Sequence, residues 1–416
     1  MRKVLATILA LVMAIGLCSV SWATDPAATQ EVTATTTELD SGSYIVNGEV
    51  TLTGGALTVK SGAAVTLELA AGSKLTNKAG SHTIINNGNL TITGTGTVDN
   101  VSHGCGALVN KVGATATLNG GKFTRSAETG TKDGPNGNSW YTIKNYGTME
   151  INSGVTVEAN GGYSSLIANG WQNAADLQNN PQSGGANAKL TIKGGTFTGG
   201  INTVKNDDYG ELLFEDGECH NYTQAAFQNH NIAKITGGTF EVNGATYAVY
   251  NCPCNRTADK GELDISGGDF VGEVYNYTGY VTGGDPYGHI KISGGKFSTN
   301  VKAYAETEST PIASLNGSYY VGSESINTAI NSMSSGDTLT VVQGTVAING
   351  AEYSAGGNAT YTKPSTGYYY YQPTTDTKTT DTKGSPKTFD AGIALYVGMA
   401  LTSAAGVAFV GKKRED

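Results

Sequence analysis

Charge is scarce in this chain. Lys and Arg number 26 and Asp and Glu 35, together 15% of 416 residues, for a formal net charge of −9. An acidic balance without a basic patch argues against a nucleic-acid binder, because phosphate recognition rewards clustered cations. The Gly-every-third pattern of collagen is absent, although Gly occurs 58 times. Gly, Thr and Asn, which fill much of the chain, are poor helix formers and argue against a helical bundle. Low net charge per residue, with Ile, Val, Leu and Tyr recurring in short runs, argues against disorder. A long, β-rich chain is what these exclusions leave.

The two ends read as addresses. Arg2 and Lys3 precede an uncharged apolar stretch from Val4 to Val20, and Ser21-Trp22-Ala23 supplies small residues for a signal peptidase. The mature chain is expected to begin near Thr24. At the other end, a Thr/Asp/Lys-rich linker leads to Ser385-Pro386-Lys387-Thr388-Phe389, an uncharged run from Ala391 to Gly411, and Lys412-Lys413-Arg414. Twenty-one residues at about 1.5 Å each suffice to cross a hydrocarbon layer of about 30 Å. The basic tail would stay on the cytoplasmic side.

This order of pentapeptide, apolar span and basic tail resembles the cell-wall sorting signal of Gram-positive surface proteins. The resemblance implies that a sortase cuts after Thr388 and joins its acyl group to peptidoglycan. Ser385 and Phe389 stand where the commonest pattern has Leu and Gly, a departure that bears on the sortase class. Membrane contact is then expected only through the C-terminal segment before processing.

Between the ends the chain repeats. An aliphatic or Phe, any residue, then Asn recurs at Asn86, Asn110, Asn145, Asn169, Asn206, Asn229, Asn251 and Asn276. The steps are 24, 35, 24, 37, 23, 22 and 25 residues, one unit of 22–25 with insertions at Ala127–Gly137 and Trp171–Asn187. A second motif lies out of phase: Gly120-Gly121-Lys122-Phe123, Gly194-Gly195-Thr196-Phe197, Gly237-Gly238-Thr239-Phe240, Gly267-Gly268-Asp269-Phe270 and Gly294-Gly295-Lys296-Phe297. Period-two alternation before each, as in Leu263-Asp264-Ile265, marks strands with one face buried. Gly-Gly supplies a positive-φ corner.

Three short strands and tight corners in each repeat predict an all-β, right-handed parallel β-helix. A β-sandwich does not predict a constant phase, and a propeller needs about 40 or more residues per blade. Ile84, Leu108, Ile143, Ile167, Val204, Phe227, Val249 and Val274 would superpose as one inward column. The Asn residues would either hydrogen-bond along the stack or serve as separate turn formers. The chain divides into a signal peptide (1–23), a Thr-rich leader (24–40), the β-helix (41–305), a small α+β cap (306–370), a linker (371–384) and the sorting signal (385–416). Within the cap, Ile326, Ala329, Ile330 and Met333 have helical spacing.

The Gly-Gly-x-Phe turns, the Ile-x-Asn column, Gly336-Asp337-Thr338-Leu339 and the sorting tail resemble β-helical, adhesin-like wall proteins of Gram-positive anaerobes. That resemblance implies surface display and a rod that presents its side to glycan or host protein ligands. Parallel β-helices also include polysaccharide lyases and hydrolases, so an active site has to be weighed. The densest acidic region holds Asp207, Asp208 and Asp216, with His220 and His230 nearby. Asp207 and Asp208 follow Asn206 at a corner and are expected to point to solvent. No lyase or polygalacturonase signature accompanies them, and no cofactor or metal site is expected. Export favours oxidation, which would link Cys219 to Cys252 or Cys254, whereas an anaerobic wall would leave thiols free. Tyr250, Tyr275, Tyr277 and Tyr280 occupy neighbouring repeats and offer either a contact surface or edge packing. A non-enzymatic surface protein is the first reading, an exported polysaccharide enzyme the second, and a passive spacer the third.

Overall fold

Parallel pairing at a distance of one repeat governs the structure, a computed structural model. It describes residues 29–365 apart from 128–139, 160–163, 172–187, 245–246, 254–259, 279–280, 283–284 and 287. The signal peptide, linker, sorting signal, Tyr280, Cys254 and nearly all of both insertions lie outside the described residues. Among the described residues, no helix is long and apolar enough to cross a membrane.

Strands that follow one another along the chain do not pair through most of its length. Each pairs instead with its counterpart in the next repeat, giving one ten-stranded sheet and one 23-stranded sheet. The smaller sheet is parallel throughout and runs from Glu38–Leu39 to Glu273–Asn276. In the larger, Asn89–Gly94, Thr115–Leu118, Thr148–Ile151, Ala188–Thr198 and Gly210–Asn221 succeed one another in parallel register. The sheet takes in part of the Thr-rich leader: Gln30 and Glu31 pair with Tyr44 and Ile45, and Val32 and Leu39 are buried.

Register aligns identical chemistry. In the smaller sheet Ile84, Leu108, Ile143, Ile167, Val204, Phe227, Val249 and Val274 stand in one buried column. In the larger, Ile92, Leu118, Ile151, Ile192, Phe214, Ile235, Ile265 and Ile292 form a second. A third holds Val98, Phe123, Val157, Phe197, Cys219, Phe240, Phe270 and Phe297. All three belong to one hydrophobic core. Each fully buried aliphatic or aromatic side chain contributes about 1.5–3 kcal/mol, a gain that one repeat alone could not convert into stability. The Phe rings stack as the strands do: Phe240 and Phe270 lie 4.9 Å apart and 3° from parallel, Phe270 and Phe297 4.8 Å and 5°.

The two glycines of the Gly-Gly-x-Phe corner are required for different reasons. At Gly267 a Cβ would lie 2.2 Å from the Thr236 carbonyl oxygen of the preceding repeat, so the backbone itself fills that space. Gly268 has a φ of +110°, outside the range open to other residues. The positive-φ requirement expected of the pair thus falls on its second member here.

Apart from a single parallel bridge between Ile292 and Ala305, parallel pairing ends at Gly295–Phe297. That strand pairs antiparallel with Ser318–Val321, which continues through Ile312–Leu315 to Thr338–Gln343 and Thr360–Thr362. An α-helix, α1 (Gly322–Ser332), buries Ile326 and Ala329. These residues share a second core with Leu315, Met333, Leu339, Val341 and Ile348.

Candidate functional site

In the eight strands of the smaller sheet that carry the Asn, the residue between the inward aliphatic or Phe and the Asn faces outward, by strand alternation. Register aligns these as one column: Ile85, Val109, Lys144, Ala168, Lys205, Gln228, Tyr250 and Tyr275. It passes from apolar through charged to aromatic.

The Asn residues beside it form an unbroken ladder. Asn86 Nδ2 donates to Asn110 Oδ1 at 2.7 Å, and the pattern repeats through Asn145, Asn169, Asn206, Asn229, Asn251 and Asn276 at 2.7–2.9 Å. Every step runs in the same direction. The amide nitrogens also donate to backbone oxygens, as Asn206 does to Gly210 and Ile232 at 3.0 and 2.9 Å. Their amides are taken up by the architecture and leave nothing for catalysis.

Asp207 and Asp208 do not point to solvent. Both are fully buried, which corrects the expectation of an exposed corner. A pair of outward lysines compensates the buried Asp207 charge. Lys144 Nζ lies 3.3 Å from Asp207 Oδ2 and Lys205 Nζ 2.7 Å from Oδ1, with all three side chains at most 7% exposed. Lys144 also sits 4.2 Å from the Tyr141 ring centroid and 5.1 Å from that of Tyr146. Burial alone would raise the Asp207 pKa. The charges of Lys205, Lys144 and His230 outweigh it and hold the carboxyl at about 2. His230 Nδ1 is 3.9 Å from Asp208 Oδ1. Trp171 and Asp208 exchange backbone hydrogen bonds at 3.0 and 3.1 Å, and the Trp171 ring lies 5.4 Å from Tyr146 and 6.3 Å from Tyr209.

A carboxylate held this low carries no proton to give at neutral pH and is a weak base. The cluster therefore suits an electrostatic clamp between repeats better than acid–base chemistry. Asp216 does not join it. That residue is exposed on the larger sheet, where its Oδ1 accepts from the Gly217 N–H at 2.8 Å. Among the described residues no three His, Cys, Asp or Glu side chains are placed to hold a metal. Reading along the chain does not pair Lys144 and Lys205 with Asp207. The available signal was their place at the middle position of the Ile-x-Asn motif, on the same face as the acidic pair.

At the aromatic end of the column, Tyr250 and Tyr275 stack with Tyr247. The ring centroids lie 4.9 Å (Tyr247–Tyr250), 5.1 Å (Tyr247–Tyr275) and 5.8 Å (Tyr250–Tyr275) apart, at 18–30°. All three are part-exposed, as is Tyr277. Burial and the neighbouring Cys252 push the Tyr250 phenol well above its usual range, so it stays a neutral donor. The rings cover part of one another's faces, which leaves edges, hydroxyls and the outer faces for contact.

Among the described residues no disulfide joins Cys219 to Cys252; Cys254, the other candidate partner, lies outside them. The reason is positional: Cys219 occupies the Phe column between Phe197 and Phe240, inside the core. Burial raises its thiol pKa well above the ordinary value. Compared with known proteins, the chain matches no family model, no curated protein and no solved structure.

Proposed function

We propose that the chain is a right-handed parallel β-helix displayed on a Gram-positive cell wall as a non-enzymatic, adhesin-like rod. Repeat-to-repeat parallel register and a core common to both sheets support the coil. The sorting-type tail, with Thr388 as the residue joined to peptidoglycan by a sortase, supports the display. The ligand would be a glycan or a host protein. The observation that carries this reading is the part-exposed Tyr247–Tyr250–Tyr275 stack, which ends a column whose charged middle is sealed. Tyrosine gives large amphipathic contact area at little entropic cost.

A second reading, an exported polysaccharide lyase or hydrolase, is favoured by the Lys144–Asp207–Lys205 cluster on the same face. One experiment separates the two. The exported chain is incubated with a glycan and matrix-protein panel while retention, new reducing ends and unsaturated products are measured. Retention without turnover, weakened by Tyr250→Ala and Tyr275→Ala, supports the adhesin reading. Turnover abolished by Asp207→Asn or Asp208→Asn replaces it with the enzyme reading. No retention at all leaves a passive spacer. Display is tested apart, by Thr388→Ala: wall attachment that survives it sinks the sortase step.

A further inference from the structure

We propose a second binding site, for a neutral carbohydrate, on the outer face of the larger sheet, distinct from the tyrosine stack. An open groove of about 420 Å³ lies there, with Leu213 and Ile232 among its lining residues. Its volume falls in the range of small-molecule sites.

Register explains what lines it. Lys189, Glu211, Ile232 and Glu262 form one outward column, and Thr191, Leu213, Lys234 and Asp264 the next. Leu213 and Ile232 are diagonal neighbours and the two aliphatic residues of these eight. They make an apolar floor among five charged residues and Thr191. The rim is charged but balanced. Lys189 Nζ lies 3.9 Å from Glu211 Oε2, and Lys234 stands opposite Asp264 in register. These two cations and two anions, all lining the groove, sum to zero on a chain of net charge −9, so neither a polyanion nor a polycation is selected.

An apolar floor ringed by paired donors and acceptors matches one chemistry well. A sugar ring offers a C–H face to Leu213 and Ile232 and an edge of hydroxyls to the two Lys and two carboxylates. A protein partner fits less well, because a stable interface needs about 800 Å² from each side. The backbone also departs from regularity at this place. Strand Ala188–Thr198 loses register against Gly210–Asn221 between Ile192 and Lys193 and again between Lys193 and Thr196. Such bulges bend a strand and re-aim the side chains beside it.

The test is calorimetric titration of the full chain with cellotetraose, tetra-N-acetylchitotetraose and mannotetraose, and with tetragalacturonate as the charged control. Leu213→Asp places a charge on the floor from an outward position, and Lys234→Ala removes one rim donor. Thermal melts show whether each variant is folded. Binding of a neutral tetrasaccharide, weakened about tenfold or more by Leu213→Asp and several-fold by Lys234→Ala, with Tyr250→Ala unchanged, is the expected result. Absence of binding by all three neutral probes overturns the groove, as does equal or tighter binding of tetragalacturonate. Binding that Tyr250→Ala removes and Leu213→Asp does not also overturns it, and in that outcome the tyrosine-stack reading stands.

Discussion

Asn145 Nδ2 donates to Asn169 Oδ1 at 2.7 Å, while Asn145 Oδ1 accepts from Asn110 Nδ2 at 2.8 Å, and none of the three is exposed. One side chain therefore satisfies both of its neighbours in the stack. Asn145→Ala would take away the donor to Asn169 Oδ1, the acceptor of the Gly147 N–H at 3.2 Å and the bond to the Lys189 carbonyl at 2.9 Å. Unsatisfied buried groups cost about 1–3 kcal/mol each, so a loss of about 2–4 kcal/mol is expected. Urea unfolding checks it against Thr115→Ala, an exposed control. Equal midpoints for the two variants would show that the ladder contributes nothing.

His82 and Asp207 both contribute to the acid limb of stability. His82 Nδ1 accepts from the Gly106 N–H at 3.0 Å, and burial, then Lys111 and Arg125, lower its pKa from 6.5 to about 4. The unfolded chain binds this proton first, so the contribution of His82 is complete above pH 6.5 and is lost as pH falls toward about 4. Asp207 follows the same sign in a lower window: its contribution is complete above pH 3.8 and is lost as pH falls toward about 2. Denaturation midpoints across about pH 2–8 check both windows. His82→Gln should flatten the upper window alone. Asp207→Asn should lower stability at neutral pH by about 3–5 kcal/mol, because it leaves two buried lysines uncompensated.

Glycine substitutions should separate crowding from backbone strain. Gly48 has a φ of +68° with nothing within 4 Å of where a Cβ would stand, so Gly48→Ala meets the backbone term alone, about 1–2 kcal/mol. Gly267→Ala meets the Thr236 carbonyl at 2.2 Å, and the two repeats must move apart. Thermal unfolding should show the larger loss for Gly267→Ala. The reverse order would mean that stacked repeats yield more readily than their spacing suggests.

Thiol labelling should distinguish the cysteines. Cys219 should resist iodoacetamide in the folded chain and react on unfolding, whereas Cys105 and Cys252, which are part-exposed, should label earlier. Intact mass before and after reductant should agree at Cys219. A shift on reduction assigned to it would refute a core thiol.

Much of this was legible in the sequence, and the limits have physical causes. The Asn spacing showed itself because neighbouring repeats must present like groups to one another. Position 219 was legible in principle: Asp216-Gly217-Glu218-Cys219 is the Gly-Gly-x-Phe corner with Asp and Cys substituted, and Cys219 pairs with Phe197 in register. The Lys144–Asp207 contact was not, since 63 residues separate the partners and an insertion lies between them. A corner position suggested solvent for Asp207. Only the three-dimensional neighbourhood of two lysines makes its burial tolerable. The direction of amide donation along the Asn column likewise has no signature in residue type.

The reversal at Phe297 has a consequence for self-association. A surface of unpaired parallel strand is a template onto which an identical molecule could add end to end. Here Gly295, Lys296 and Phe297 already face Val321, Tyr320 and Tyr319 running the opposite way. An incoming copy therefore cannot continue the parallel stack at Gly295–Phe297, whose edge is already taken by an antiparallel partner.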